Sequence, residues 1–383
     1  MGTPPFIPVS EPLLDGNEKR YLLECIDSGW ISSEGPFVRQ FEQALAERVN
    51  RKYGIAVCNG TAALDAAIAA LGIGPGDEVI VPAFTIISCV GEIVRRGAIP
   101  VLVDSDPQSW NMDVAQIEAR ITARTRAILM VHIYGLPVDV DAVLAIARRH
   151  GLAVLEDAAQ MHGQTYKGRP CGSFGELSTF SFYSNKLVTT GEGGMLLTDD
   201  AALAQRCASL RNLYFQPQQR FVHEDLGWNL RMTNLQAALG VAQLERLDTF
   251  TAHKRQMGRR YDALLDGIEG LQRPLASTAD AQNIYWVYGL VLGEALGLSA
   301  EQAMHRLAAE GIGCRPFFCP MHMQPVLRGM GLFEGESYPV AERLYRQGFY
   351  IPSGLTLTDS QQCRVADAVR GMLQHPAKSR HTA

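Results

Sequence analysis

The sequence predicts an α/β protein: a large domain on a mixed, mostly parallel sheet, followed by a smaller α+β domain. Three observations lead there. Strand-length apolar runs alternate with amphipathic helix patterns from about residue 20 to 250. Those runs are apolar throughout, as in strands whose two faces are both covered by helices. After about residue 250 the alternation gives way to a different mixture of strand and helix patterns. The expected division is therefore 1–250 for an N-terminal arm and the large domain, and 251–383 for the small one.

Taken in order, the strand candidates are "YGIAVCN", "DEVIVPAF", "IPVLVDSD", "RAILMVHIYG", "LAVLEDAA", "LSTFSFYS" and "GGMLLTDD". Helix patterns such as "GTAALDAAIAALG", "DAVLAIARRHG" and "AALAQRCASLRN" separate most of them. The runs "STFSF" and "GGMLL" lie too close for a crossover helix, which predicts an antiparallel hairpin. A long helical stretch near residues 235 to 270 leads into "IYWVYGLVLGE", "AEQAMHRLAAEGIGCRPFF" and "CRVADAVRGML", the material of the small domain. A polar tail follows Gln374.

Composition narrows the function classes. Of the 383 residues 47% are hydrophobic and 20% charged, the balance of a globular chain with a sizeable core. The net charge of −5 is scattered, so no nucleic-acid surface is indicated. No apolar run reaches the length of a membrane span, and the opening "MGTPPFIPVSEPLLDGNEK" lacks the pattern of a signal peptide. Eight cysteines, several in apolar runs such as Cys58 and Cys89, read as reduced core residues, and a cytoplasmic location is expected. The nine histidines form no ligand-spaced cluster, so no metal is expected.

Three short stretches carry chemistry. After the first strand, Asn59-Gly60-Thr61-Ala62 opens an alanine-rich helix, where free N–H groups and the positive dipole end make an anion site; a plain N-capped helix fits the same residues. "LAVLED" ends a strand on two carboxylates, Glu156 and Asp157, at the end that faces the crevice in open α/β sheets; a buried capping acid is the alternative. Lys186 follows the "FSFYSN" run and precedes Gly191, Gly193 and Gly194, which allow tight backbone. It is either a solvent-facing loop lysine or an amine placed for chemistry. Together the three suit a phosphorylated pyridine aldehyde, whose ring nitrogen takes a carboxylate and whose aldehyde takes an amine.

These residues, with "NGTAAL", "VPAFT", "VHIYG", "EDAAQ", "FSFYSNKLVTTGEGGM" and "NLRMTNLQAALG", resemble the sugar aminotransferases of the DegT/DnrJ/StrS type, nearly end to end. That resemblance implies fold type I and pyridoxal 5'-phosphate held by the large domain. It implies Lys186 as the catalytic lysine that bonds the cofactor and shuttles the proton, and Asp157 as the partner of the ring nitrogen. Gly60, Thr61, Ala62 and Ser181 would hold the phosphate, Phe84 would stack on the ring, and Gln160 would hold its hydroxyl oxygen. Asn229 would reach the phosphate of a neighbouring subunit in a homodimer with shared sites; as a residue of this chain alone it is also a natural helix cap.

The implied reaction moves an amino group from L-glutamate to the C4 ketone of a nucleotide-linked 4-keto-6-deoxyhexose, GDP-4-keto-6-deoxymannose first among them. Candidate substrate residues are Trp30, Tyr183, Met161, His162, Arg315, Phe318 and His322. Trp30 also reads as a core tryptophan, and Arg315 and His322 as surface charges. Met161 departs from the small residue usual in relatives. Two rivals stand beside this reading: the same chemistry on a dTDP- or UDP-ketosugar or a keto-cyclitol, and a non-catalytic regulatory protein.

Overall fold

A computed structural model describes residues 5–216 and 219–374; the polar tail lies outside the described residues. The chain begins with an extended arm and two helices, α1 (Glu18–Ser28) and α2 (Pro36–Arg48). Then come β1 (Tyr53–Val57), α3 (Gly60–Ala70), β2 (Glu78–Pro82), α4 (Ile87–Arg95), β3 (Ile99–Val103), β4 (Thr125–Val131), α5 (Val140–His150) and β5 (Ala153–Asp157). A small hairpin of β6 (Thr165–Tyr166) and β7 (Arg169–Pro170) precedes β8 (Leu177–Ser181), β9 (Gly194–Thr198) and α6 (Ala201–Arg211).

These strands form a seven-stranded sheet in the order β1-β9-β8-β5-β4-β2-β3. Pairs β3–β2, β2–β4, β4–β5 and β5–β8 are parallel. Only β9 runs against the rest: it pairs antiparallel with β8 on one side and β1 on the other. The expected hairpin is this β8–β9 pair, with Ser181 opposite Gly194.

The continuous apolar strands have the predicted cause. Ile55 and Val57 face one core while Ala56 faces the other; Val79 and Val81 alternate in the same way with Ile80. Successive side chains point to opposite faces, so a strand covered on both sides must be apolar at every position.

The long helical stretch is two helices, α7 (Asn234–Leu244) and α8 (Leu247–Leu264). A Thr233–Gln236 capping box starts α7, so Asn229 is not its cap. Helix α8 joins the two domains. Its Leu247 and Phe250 pack in the core of the large sheet, while Met257 and Tyr261 pack in a separate core.

The second core belongs to a four-stranded antiparallel sheet in the order β10 (Leu271–Gln272), β11 (Tyr288–Leu292), β13 (Gly348–Ile351), β12 (Arg315–Pro316). Around it lie α9 (Ala300–Ala309), α11 (Pro339–Gln347) and α12 (Asp359–Gln374), while the short α10 (Pro325–Gly329) packs Leu327 in the core of the large sheet. Ile7 of the N-terminal arm packs in this core and bridges to Ile312. The arm that the sequence groups with the large domain thus crosses to the small one.

Candidate active site

A cavity of about 700 Å³ opens at the carboxyl ends of β1, β5 and β8, between the large sheet and the small domain. Strand order explains its place: β9 sits between β1 and β8, so the turn after β1 and the end of β8 flank the same strand. Gly194 pairs with Val57 on one side and Ser181 on the other, and a Cβ there would collide with the Asn59 carbonyl. The glycine corner therefore serves close backbone packing.

The turn after β1 is shaped to hold an anion. Asn59 is extended and its side chain accepts from Ala62 N at 2.8 Å. That contact occupies the Ala62 N–H, which corrects the expectation that Ala62 donates to a phosphate. The N–H groups of Gly60 and Thr61, both on the cavity wall, lie at the helix start, where no intrahelical acceptor exists. A Cβ on Gly60 would lie 2.7 Å from Ser181 Cβ, so glycine keeps the cradle open beside the Ser181 hydroxyl.

The two carboxylates at the end of β5 part company. Glu156 is fully buried and accepts from His132 Nε2 at 3.0 Å, Gly172 N at 2.6 Å and Phe174 N at 2.8 Å. With Cys171 these side chains form a buried trio of metal-ligand types, but the carboxylate is already satisfied by hydrogen bonds and acts as a strut. Asp157, next along the strand and on the opposite face, lines the cavity. Its Oδ1 accepts from Ala159 N at 3.0 Å and its Oδ2 from Cys89 Sγ at 3.2 Å.

Lys186 faces the cavity from the β8–β9 connection, whose turn is fixed by Lys186 N donating to Tyr183 O and Thr190 N to Phe182 O. Its Nζ lies 3.7 Å from the centroid of the Trp286 ring. Protein surrounds the amine, and loss of solvent lowers its pKa from 10.5 to about 8, against the opposing pull of the Asp157 charge. Trp286 is pinned by its Nε1–H to Asn185 O at 2.9 Å.

Gln160 presents its amide to the cavity; its Oε1 accepts from Tyr134 N at 2.5 Å, which leaves the amide N–H groups toward the opening. Thr179 also lines the wall, its buried hydroxyl without a partner among the described residues. Two free helix-start N–H groups, a serine hydroxyl, an amide donor, an accepting carboxylate and a desolvated amine form the set of groups that a phosphorylated pyridine aldehyde needs.

The structure brings Gly60, Thr61, Asp157, Gln160, Ser181, Tyr183, Lys186 and Phe318 to one cavity. Others stand elsewhere. Phe84 is fully buried against Tyr134, Phe317 and Phe318 and does not reach the cavity; Ile86, two residues on, is on the wall instead. Met161 is core. His162 is buried beside Phe180 and Phe182, its pKa lowered to about 3 by burial, so it stays neutral and off the cavity wall.

Trp30 is half exposed rather than core and lines a separate cleft of about 620 Å³ with Ser32, Arg211, Arg220 and Arg231. His322 is paired with Glu342 at 3.1 Å. Arg315 lies on the surface of β12 beside Tyr350. Asn229 is exposed and does not line its own chain's cavity. Sequence reasoning missed Trp286, Tyr350, Ile86 and Cys89; the aromatic run "IYWVYG" at the domain junction was the available signal for Trp286.

The DegT/DnrJ/EryC1/StrS aminotransferase family model matches residues 12–370. GDP-perosamine synthase of Caulobacter vibrioides is 43% identical over 96% of this chain and 99% of its own. The protein of that name in Escherichia coli O157:H7 is 40% identical over 95% and 98%. Among solved structures, DesV of S. venezuelae superposes with a TM-score of 0.89 at 33% identity, covering 97% of this chain and 99% of that one.

Proposed function

This chain belongs to the DegT/DnrJ/EryC1/StrS aminotransferase family, and from that premise we propose that it moves the amino group of L-glutamate to the C4 ketone of GDP-4-keto-6-deoxymannose, giving GDP-perosamine. The enzyme is a pyridoxal phosphate aminotransferase with a sugar nucleotide as acceptor. The observation that carries the residue assignment is the desolvated Lys186 amine sharing one cavity with Asp157 and the open helix start at Gly60. Identity over almost the whole length to two GDP-perosamine synthases supports the choice of nucleotide and sugar.

Pyridoxal phosphate, when bound, would supply an electron sink that makes the α-proton of the amino acid mobile and lets a proton be delivered to the ketone carbon of the sugar. Lys186 moves that proton at Nζ. With a pKa of about 8 it has a substantial neutral fraction near neutral pH, which an ordinary lysine lacks. Asp157 holds a proton at the ring nitrogen through a carboxylate already fixed on both oxygens. The Gly60 and Thr61 N–H groups and the Ser181 hydroxyl bind phosphate, helped by the dipole of α3. Gln160 donates to the ring hydroxyl oxygen. Trp286 excludes water from one side of the amine, and Tyr183 and Phe318 meet the substrate.

The chain acts as a cytoplasmic homodimer in which Asn229 serves the neighbouring site. The exposed position of Asn229, away from its own cavity, supports this, as do eight free cysteines for a reducing compartment. Among the described residues no helix is long and apolar enough to cross a membrane.

The decisive experiment supplies L-glutamate with a panel of GDP-, dTDP- and UDP-linked 4-ketosugars and reads 2-oxoglutarate. The GDP sugar should turn over fastest; a faster dTDP or UDP sugar overturns the acceptor and leaves the residue roles standing. Mixing refolded Lys186→Ala and Asn229→Asp chains tests sharing. One site of each hybrid has both defects and the other neither, so random pairing should restore about a quarter of wild-type activity under two-fold symmetry. No recovery despite proven exchange of chains would remove the shared-site claim.

A further inference from the structure

Asp157 is held by a side chain outside the expected set. Cys89, in the first turn of α4, is fully buried and places its Sγ 3.2 Å from Asp157 Oδ2. Thr85, equally buried, donates its hydroxyl to Cys89 Sγ at 3.3 Å. The three side chains form one directed series, O–H to S–H to carboxylate, and a series of this kind polarises along its length. Burial and the Asp157 charge push the thiol's pKa well above its usual value, so it remains a donor.

The carboxylate has a competing partner. Lys186 is near enough for its amine to feel the Asp157 charge, yet among the described residues no ion pair joins the two. Ala159 N–H on Oδ1 and Cys89 S–H on Oδ2 instead hold each oxygen from the protein side. A thiol is a weak donor compared with a hydroxyl. It can therefore fix a carboxylate while withdrawing little of its negative charge.

We propose that Cys89 is a positioning residue for the cofactor carboxylate: its thiol locks Asp157 in one rotamer, apart from Lys186, and leaves it basic enough to keep a bound ring nitrogen protonated. This rests on the assignment of Asp157 to the ring nitrogen. Its consequence is that position 89 tunes the electron sink without touching it.

The test uses infrared S–H stretching and ¹⁵N NMR of holoenzyme loaded with ring-¹⁵N pyridoxal phosphate. The S–H band lost in Cys89→Val should lie at the low frequency of a hydrogen-bonded thiol and move up in Asp157→Asn. Cys89→Val should slow the half-reaction with L-glutamate by about tenfold, the scale of one hydrogen bond to a charged group, at unchanged KM. Cys89→Ser should restore most of that rate while moving the ring-nitrogen signal toward the unprotonated value.

If the S–H band ignores Asp157→Asn, or Cys89→Val reacts at the wild-type rate, the role of Cys89 is refuted. If Asp157→Asn instead leaves the ring-nitrogen signal unchanged, the assignment of Asp157 falls. Should Cys89→Val fold poorly, the band difference against Cys89→Ser carries the same decision.

Discussion

Two lysines among the described residues have amines drawn out of solvent, Lys254 fully buried and Lys186 half-buried at the cavity, and only Lys186 is placed to react. Lys186 and Lys254 stand on either side of Trp286: the first has its amine over the indole ring, the second donates to the backbone carbonyl of the same residue at 2.9 Å and to that of Ser353. Both have lowered pKa values, Lys186 to about 8 and Lys254 to about 7. In net shift Lys254 is the more perturbed, because the Asp157 charge offsets part of the desolvation of Lys186. It has no carboxylate among the causes of its shift and does not line the main cavity, whereas Lys186 has Asp157 and an opening. A shifted lysine marks a functional site only when access and a charge partner accompany it. Lys254 instead ties α8 to the segments before β11 and after β13, as a neutral amine, with two N–H donors, can do.

The sharpest way to break this contrast is chemical. Pyridoxal phosphate followed by borohydride, which fixes the link between the aldehyde and a lysine amine, should mark the peptide holding Lys186 and leave Lys254 unmarked. In parallel, Lys186→Ala should lower the half-reaction with L-glutamate by about a thousandfold, within the range for loss of a positioned acid–base group. Label on Lys254, or near-normal turnover in Lys186→Ala, would reverse the assignment.

A smaller effect isolates access from burial. Gly60→Ala forces a Cβ to within 2.7 Å of Ser181 Cβ while leaving both lysines in place. Cofactor affinity, read by absorbance titration, should weaken about tenfold or more, the scale of a modest overpacking cost. Unchanged affinity would mean that the phosphate does not sit in this cradle.

The last effect is on stability rather than on the reaction, and it belongs to Lys254. Its folded pKa is below the unfolded one, so between about pH 7 and pH 10 the unfolded chain binds more protons and stability rises with pH. Lys254→Met removes that rise and leaves two carbonyls without donors. Denaturant unfolding of the apoprotein should show the variant less stable by about 1–3 kcal/mol at pH 9 and by less at pH 6.5. A gap that widens toward acid would contradict a buried, uncompensated amine.

The fold was legible because its signals are local. Apolar runs such as "VIVPAF" report burial on both faces, and the short span between Ser181 and Gly194 excluded a crossover. Lys186, Asp157 and the Gly60 turn were legible for the same reason, each lying at a strand end. What escaped depends on which face of a helix or turn meets which strand. Phe84 and Ile86 are two apart in one loop, and nothing in "PAFTII" says which reaches the cavity. Cys89 looked like core and is core, but the carboxylate it meets comes from β5, after two intervening strands in the chain. Glu156 and Asp157 could be separated only once the strand's facing was known.

The reversed strand β9 has a consequence for when the site comes into being. β1 is made early, yet its only strand partner in the sheet is β9, so residues 53–57 must wait for residues 194–198 before they are fixed. During synthesis the parallel core of β2 to β5 can assemble first, leaving the Asn59 turn unmoored beside it. Non-local pairing of this kind is slow because a long loop must close before any contact rewards it. The cradle for the phosphate is therefore complete only when residues 194–198 are in place between β1 and β8, so its two halves, the Asn59 turn and Ser181, depend on one strand that comes more than 130 residues after the first of them.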